Sequence, residues 1–153
     1  MIVIGDLNLA SRESLVASLP HGLRGAEIGV LNGDFAETML NCKPSHLMLV
    51  DIWECPPGYG VTRASVESIN HDYMRHYFNV IKRFSGTTAI AIRAESKTAA
   101  EFTQDKYLDW IYIDADHMHA GAYFNHRIGK PCREIWIENL AAFDETFPLI
   151  QGQ

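Results

Sequence analysis

Ala26-Glu27-Ile28-Gly29-Val30-Leu31-Asn32-Gly33-Asp34-Phe35 is the stretch on which the fold turns. Its apolar start breaks at Gly29 and Gly33 and flows into Ala36-Glu37-Thr38-Met39-Leu40, the pattern of a buried strand, a tight turn and a helix start. Glycine lets backbone N–H groups come within hydrogen-bonding distance of a bound group, and the N-terminus of the next helix favours negative charge there. Glu27 is the odd residue. A carboxylate inside an apolar strand costs several kcal/mol unless something pairs it, so the cationic end of a ligand is a sensible counterpart. A plain structural strand, turn and helix would read the same way.

His46-Leu47-Met48-Leu49-Val50-Asp51 is a second apolar strand, and it too ends in an acid. In α/β nucleotide sites a carboxylate at this distance from the glycine turn holds ribose hydroxyls. The dinucleotide pattern Gly-x-Gly-x-x-Gly is not met, because position 31 is leucine. Glu27-x-Gly29-x-x-x-Gly33 followed by Asp51 instead resembles the class I S-adenosylmethionine (SAM)-dependent methyltransferases. That resemblance implies an acid-plus-glycine turn around the amino-acid end of SAM and a second acid, Asp51, on its ribose.

The remaining chain alternates strand and helix. Ser11 can cap a short helix over Glu13 to Leu19, and Pro20-His21-Gly22 stops it. The first strand is expected over 26–31, its crossover helix over 33–41 and the second strand over 46–51. Cys55-Pro56-Pro57-Gly58-Tyr59-Gly60 is the most loop-like segment, either a lid over a ligand or an inert surface loop. Val66, Ile69, Tyr73, Tyr77, Ile81 and Phe84 recur at helical spacing, so a long helix with a core-facing stripe is expected over 63–84, ended by Gly86. Further strands are expected over 88–92, 108–114 and 134–138, with helices over 97–103 and 119–127. Such alternation demands a doubly wound, Rossmann-like parallel sheet of about five strands with helices on both faces, in a single domain spanning 1–153.

Ile111-Tyr112-Ile113-Asp114-Ala115-Asp116-His117 puts two carboxylates and an imidazole at the carboxyl end of the fourth strand, the edge where such sheets bind ligands. Acids that merely begin a turn are the plain alternative. Together with Ala-Glu-Ile-Gly-Val and Val-Asp-Ile-Trp, this segment is similar to the small-molecule O-methyltransferase branch that includes macrolide-sugar, aminocoumarin and caffeoyl-CoA enzymes. The resemblance implies that Glu95 and Ser96 contact adenine, that Asp114 lies at the cofactor, and that Asp116 is the base, with His117 as runner-up. It also implies a divalent cation held by Asp114 and the pair Glu138-Asn139. Oxygen ligands of this kind suit Mg²⁺. Glu138 and Asn139 as an unlinked strand-end acid and a helix cap is the competing reading. His117-x-His119 with His126 as a zinc site is weaker, since the remaining ligands do not stand at characteristic spacing; His71 and His76 read as ordinary helix residues.

Lys130-Pro131-Cys132-Arg133 stands where the branch carries a Lys-Pro-Gly-Gly turn, and only Leu140 to Gln153 follow Asn139. The antiparallel strand pair that completes the family's sheet is therefore expected to be missing, and an open sheet edge favours a homo-oligomer, most simply a dimer.

The 153 residues are 47% apolar and 21% charged, an ordinary globular composition. With 13 basic against 19 acidic side chains, the charge of −6 argues against a phosphate backbone as the partner. Cys42, Cys55 and Cys132 form neither a disulfide framework nor a Cys-x-x-Cys knuckle, and no long apolar run or signal-peptide start is present, so a soluble cytoplasmic protein is expected. The leading expectation is SAM-dependent methylation of a hydroxyl on a small molecule. Its rivals are a non-catalytic SAM-binding or assembly module, and an enzyme that consumes SAM by another reaction such as cleavage.

Overall fold

The computed structural model describes residues 12–55, 62–114 and 123–125. In chain order the elements are α1 (Arg12–Ala17), β1 (Arg24–Ile28), α2 (Asp34–Leu40), β2 (His46–Asp51), α3 (Arg63–Phe84), β3 (Ala89–Arg93), α4 (Ser96–Phe102), β4 (Trp110–Ile113) and β5 (Tyr123–Asn125). They build one sheet in the order β3-β2-β1-β4-β5. The first four strands are parallel, and β5 runs antiparallel to β4.

Both faces of this sheet are covered, which is why its strands read as continuous apolar runs rather than as alternating ones. On one face Leu47, Leu49, Trp110 and Tyr112 pack with Val16 of α1, Phe35 and Met39 of α2, and Val80 and Phe84 of α3. The other face carries Ala26, Ile28, Val50, Ile111 and Ile113 against Ala99 and Ala100 of α4. The reversal follows from handedness. Crossovers from β1 to β2 and from β2 to β3 move one way across the sheet, whereas that from β3 to β4 moves back, so right-handed connections put α4 on the opposite face.

Local chemistry sets the boundaries. Thr62 caps α3 by accepting a bond from the Ser65 N–H, Arg63 pairs with Glu67 one turn on, and Lys82 and Arg83 sit at the negative end of the helix dipole. β1 ends at Ile28, short of the expected 31, because Gly29 (φ 87°) and Leu31 (φ 51°) have left-handed backbones that no strand accepts. β4 starts at Trp110 because Asp109 is already bonded to Arg24: its N–H donates to the Arg24 carbonyl, and its Oδ2 accepts from the Arg24 N–H at 2.8 Å.

Two expectations fail. The helix expected over 119–127 contains instead β5, where Tyr123 and Phe124 have strand-favouring side chains and the open side of β4 supplies a partner. The α3 stripe is only partly core: Val80 and Phe84 are the helix's buried residues, Tyr73 and Tyr77 pack partly against the core, and Ile81 is 43% exposed. The expected fifth parallel strand, 134–138, lies outside the described residues, as do the Lys130 turn and the chain beyond it. No described helix is long and apolar enough to cross a membrane.

Gly25 fits only glycine. A Cβ there would sit 2.1 Å from the Trp110 ring, which lies flat across the strand and is itself fully buried. Gly25→Ala should therefore cost about 1–3 kcal/mol in urea unfolding, and a second change, Trp110→Leu, should recover part of that loss even though it is destabilising alone. Additive costs in the double variant would show that the two sites are not in contact.

Arg83 holds α3 to α2 through Asp34 at 2.9 Å and through Glu37. The Arg83 guanidinium, followed by the Asn32 side chain, keeps the Asp34 carboxyl below its ordinary value of 3.8. A carboxylate whose folded pKa is depressed contributes stability above its unfolded value and loses it as pH falls through the folded one. The stability difference between wild type and Arg83→Ala should accordingly be present at pH 7, small as for any exposed pair, and shrink steadily below pH 3.8. A difference independent of pH would assign it to the Arg83 guanidinium over the Phe84 ring instead.

Candidate functional site

The parallel strands bring their carboxyl ends level: Ile28 pairs with Val50 and Ile113, and Asp51 pairs with Arg93. Gly29, Asp51, Glu95-Ser96 and Asp114 therefore stand along a single edge. Cross-strand bonds continue past the strands themselves, from the Gly29 N–H to the Val50 carbonyl (2.8 Å), from Ala94 to Asp51 (3.0 Å) and from Asp114 to Ile28 (2.7 Å). The reversal of strand order between β1 and β4 opens this edge beside Gly29, where an open α/β sheet accepts a ligand.

Asp51 organises the edge. Its Oδ2 accepts from the N–H groups of Val30 (2.8 Å) and Leu31 (2.9 Å), and its Oδ1 accepts from that of Trp53 (2.8 Å). Leu31 and Trp53 are both in the left-handed region, at φ 51° and 43°. Such a conformation costs a side-chain-bearing residue about 1–3 kcal/mol and persists only where its surroundings impose it. Here the same carboxylate holds both. Trp53 closes the arrangement: its indole Nε1 donates to the Leu31 carbonyl at 2.7 Å, its ring lies 4.8 Å from that of Tyr77, and it is fully buried.

Glu27 is 2% exposed, and its Oε2 is shut off from solvent. Its sheet neighbours in register are Leu49 and Tyr112, both core residues, so the carboxylate sits in an apolar layer directly before the turn. Glu95 occupies the N-cap position of α4 without a side-chain capping bond, and Ser96 begins that helix. Asp114 is half-buried just past β4. The edge thus gathers Glu27, Asp51, Glu95 and Asp114. Arg93 is already bonded there to the Ile52 carbonyl and to Glu54, which leaves a field suited to a cationic group.

The geometry adds detail to the sequence readings of the turn and of Asp51. On the side where a Gly33 Cβ would point the turn is closed by Phe84 and Val80, and the first turn of the seven-residue α2 holds Asp34 and Glu37. Asp51 is not wholly at a ligand's disposal. Of the roughly four acceptor positions of a carboxylate, backbone amides take three, leaving room for one ribose hydroxyl unless an amide yields. The loop after Asp51 contributes Trp53, to which sequence reasoning assigned no role although Val-Asp-Ile-Trp was in view; the candidate lid residues 56–60 lie outside the described residues.

Asp116, His117, Glu138 and Asn139 also lie outside the described residues. Asp114 is therefore the one member of the expected cation set that can be placed, and among the described residues no three His, Cys, Asp or Glu side chains converge. A cleft of about 220 Å³ opens between the turn and α3, lined by Leu31, Ile69, Asp72, Tyr73 and His76. His76, read from sequence as an ordinary helix residue, reaches this cleft.

Replacing Asp51 tests the latch directly. Asp51→Ala removes a charged acceptor from three amides and should cost on the order of 3 kcal/mol, with Trp53 emission shifted to the red as the indole is wetted. Asp51→Asn, which keeps one oxygen acceptor, should cost less. An Asp51→Ala protein as stable as wild type would remove the latch. Compared with known proteins, the chain matches no family model and no curated sequence.

Proposed function

We propose that the chain binds SAM along the carboxyl edge of its sheet and transfers the methyl group to a hydroxyl of a small molecule. The observation that carries this reading is Glu27: a carboxylate 2% exposed, in an apolar layer, immediately before the turn that ends β1. Sulfonium and ammonium are the charges such a group would offset, and the acidic edge around it has the matching sign. On this reading the sheet is the core of a Rossmann-like, doubly wound fold that continues through residues 134–138.

Each residue then has a task. Glu27 takes the ammonium end of the cofactor, the Gly29–Gly33 turn lies against its carbon chain, and the remaining acceptor position of Asp51 takes a ribose hydroxyl. Glu95 and Ser96 flank the adenine. SAM supplies an already electrophilic methyl, so the protein's work is alignment, worth up to about 7–11 kcal/mol in favourable cases, and removal of the acceptor's proton by Asp116 or His117. Asp114, Glu138 and Asn139 would hold a divalent cation that lowers the acceptor's pKa.

One observation favours a rival. Because Asp51 already serves its own backbone, a non-catalytic module that retains the scaffold reads equally from that residue.

Two measurements separate these readings. Saturating S-adenosylhomocysteine should raise the melting temperature, by an amount equivalent to about 2.7 kcal/mol at a hundredfold excess over Kd, while NAD leaves it unmoved, and Glu27→Gln should abolish the rise. The opposite pattern would sink the SAM reading. Methyl donation to a panel of hydroxylated acceptors, followed with and without a chelator, then decides between enzyme and module: binding without turnover favours the module, and turnover unaffected by chelation removes the cation.

A further inference from the structure

β3 is the outer strand of the sheet, and among the described residues no strand pairs with its far side. None of its five residues is buried, and Ile90 is 52% exposed. Edge strands are ordinarily protected by proline, lysine or a bulge. Ala89-Ile90-Ala91-Ile92 has no proline or lysine, and its pairing with β2 runs in unbroken register. The one charge, Arg93, is turned back onto the Ile52 carbonyl and Glu54 of its own chain.

The helix beside this edge is bare in the same direction. Around α3, Val80 and Phe84 face the core, and on one flank Arg83 reaches Asp34 and Glu37 of α2. Met74, Phe78 and Ile81 follow at i, i+4 and i+7 and form a stripe on the opposite flank. Since α2 connects β1 to β2 and β3 lies beyond β2, that flank looks out over the open edge. Phe78 is 62% exposed and Ile81 43%.

We infer that this face is the interface of a two-fold dimer, in which β3 pairs antiparallel with β3 of a second copy and the two α3 helices meet above it. The surface is self-complementary. An axis through Ile90 sets it opposite the partner's Ile90, and Ala89 opposite the partner's Ala91. Counting from the turn at Gly86, about 1.5 Å per helical residue against about 3.3 Å per strand residue brings Phe78 level with Ile90. Phe78 then meets the partner's Phe78, and Ile81 meets the partner's Met74. Its extent also fits: α3 is about 33 Å long at 1.5 Å per residue, and with the strand edge beneath it the face measures roughly 500 Å² in projection and more over the side-chain relief, against about 800 Å² per partner in a typical stable interface. A foreign strand could bond to the edge, but it would not match the symmetric spacing of Met74, Phe78 and Ile81.

Light scattering of the full chain at micromolar concentration should give the mass of two chains. Phe78→Glu and Ile90→Lys, both at exposed positions, should each give the mass of one while leaving far-UV circular dichroism unchanged, and their urea midpoints should lose the dependence on protein concentration that a dimer shows. Under mild oxidation Phe78→Cys should cross-link to itself, since it lies on the axis, whereas Ile81→Cys should do so only when mixed with Met74→Cys. A wild-type monomer, a dimer that survives both substitutions, or self-cross-linking of Ile81→Cys as efficient as that of Phe78→Cys would overturn the assignment.

Discussion

The carboxylate of Asp51 is the group on which the carboxyl edge depends. Three backbone N–H groups converge on it, two of them belonging to residues in left-handed conformations that leucine and tryptophan do not adopt freely. Without it, the amides of Val30, Leu31 and Trp53 would need other acceptors, and the turn after β1 would lose its tie to the loop after β2. A charged acceptor is well suited to this, because bonds to an ion are roughly twice as strong as those between neutral groups. The glycines permit the turn, but the acid decides which of its many permitted shapes is kept.

This ordering changes what an acid at the end of a second strand signifies. The sequence pattern of a glycine turn followed by a strand-end carboxylate points to a ligand, and the geometry shows that such a carboxylate can be engaged first by its own chain. The two roles are compatible only if the ligand uses the acceptor position that remains, or if it displaces an amide and releases strain in doing so. Glu27 is a buried carboxylate whose strand neighbours, Leu49 and Tyr112, are core residues, and its place directly before the turn is why it carries the functional proposal.

Most of the fold was legible because its signals are local. Gly86 ends α3 at a positive φ, the short apolar runs that became β2 and β3 have the length and composition of strands, and a strand-helix alternation leaves few topologies. What escaped is what depends on residues distant in sequence. That Trp110 lies across Gly25, that Arg83 joins Asp34 and Glu37, and that Asp51 accepts from amides twenty positions away are consequences of packing, with no period to betray them. β5 was missed for a different reason: three residues are too few to show a period, and its partner edge exists only once β4 is in place.

The long helix has one further consequence. α3 is anchored in the core at Val80 and Phe84, close to its carboxyl end, while the preceding turns bury no residue completely. Toward Arg63 the ties are lighter, namely the partial packing of Tyr73 and Tyr77 and the Asn70 side chain accepting from the Cys55 N–H at 2.6 Å, so the helix acts as a lever whose tilt at Phe84 grows along its length. Amide exchange should grade along it in the same sense, slow near Phe84 and faster toward Arg63. Because Ile69, Tyr73 and His76 on the long arm form one wall of the cleft beside Leu31, the width of that cleft is set by where the lever rests rather than by the sheet beneath it.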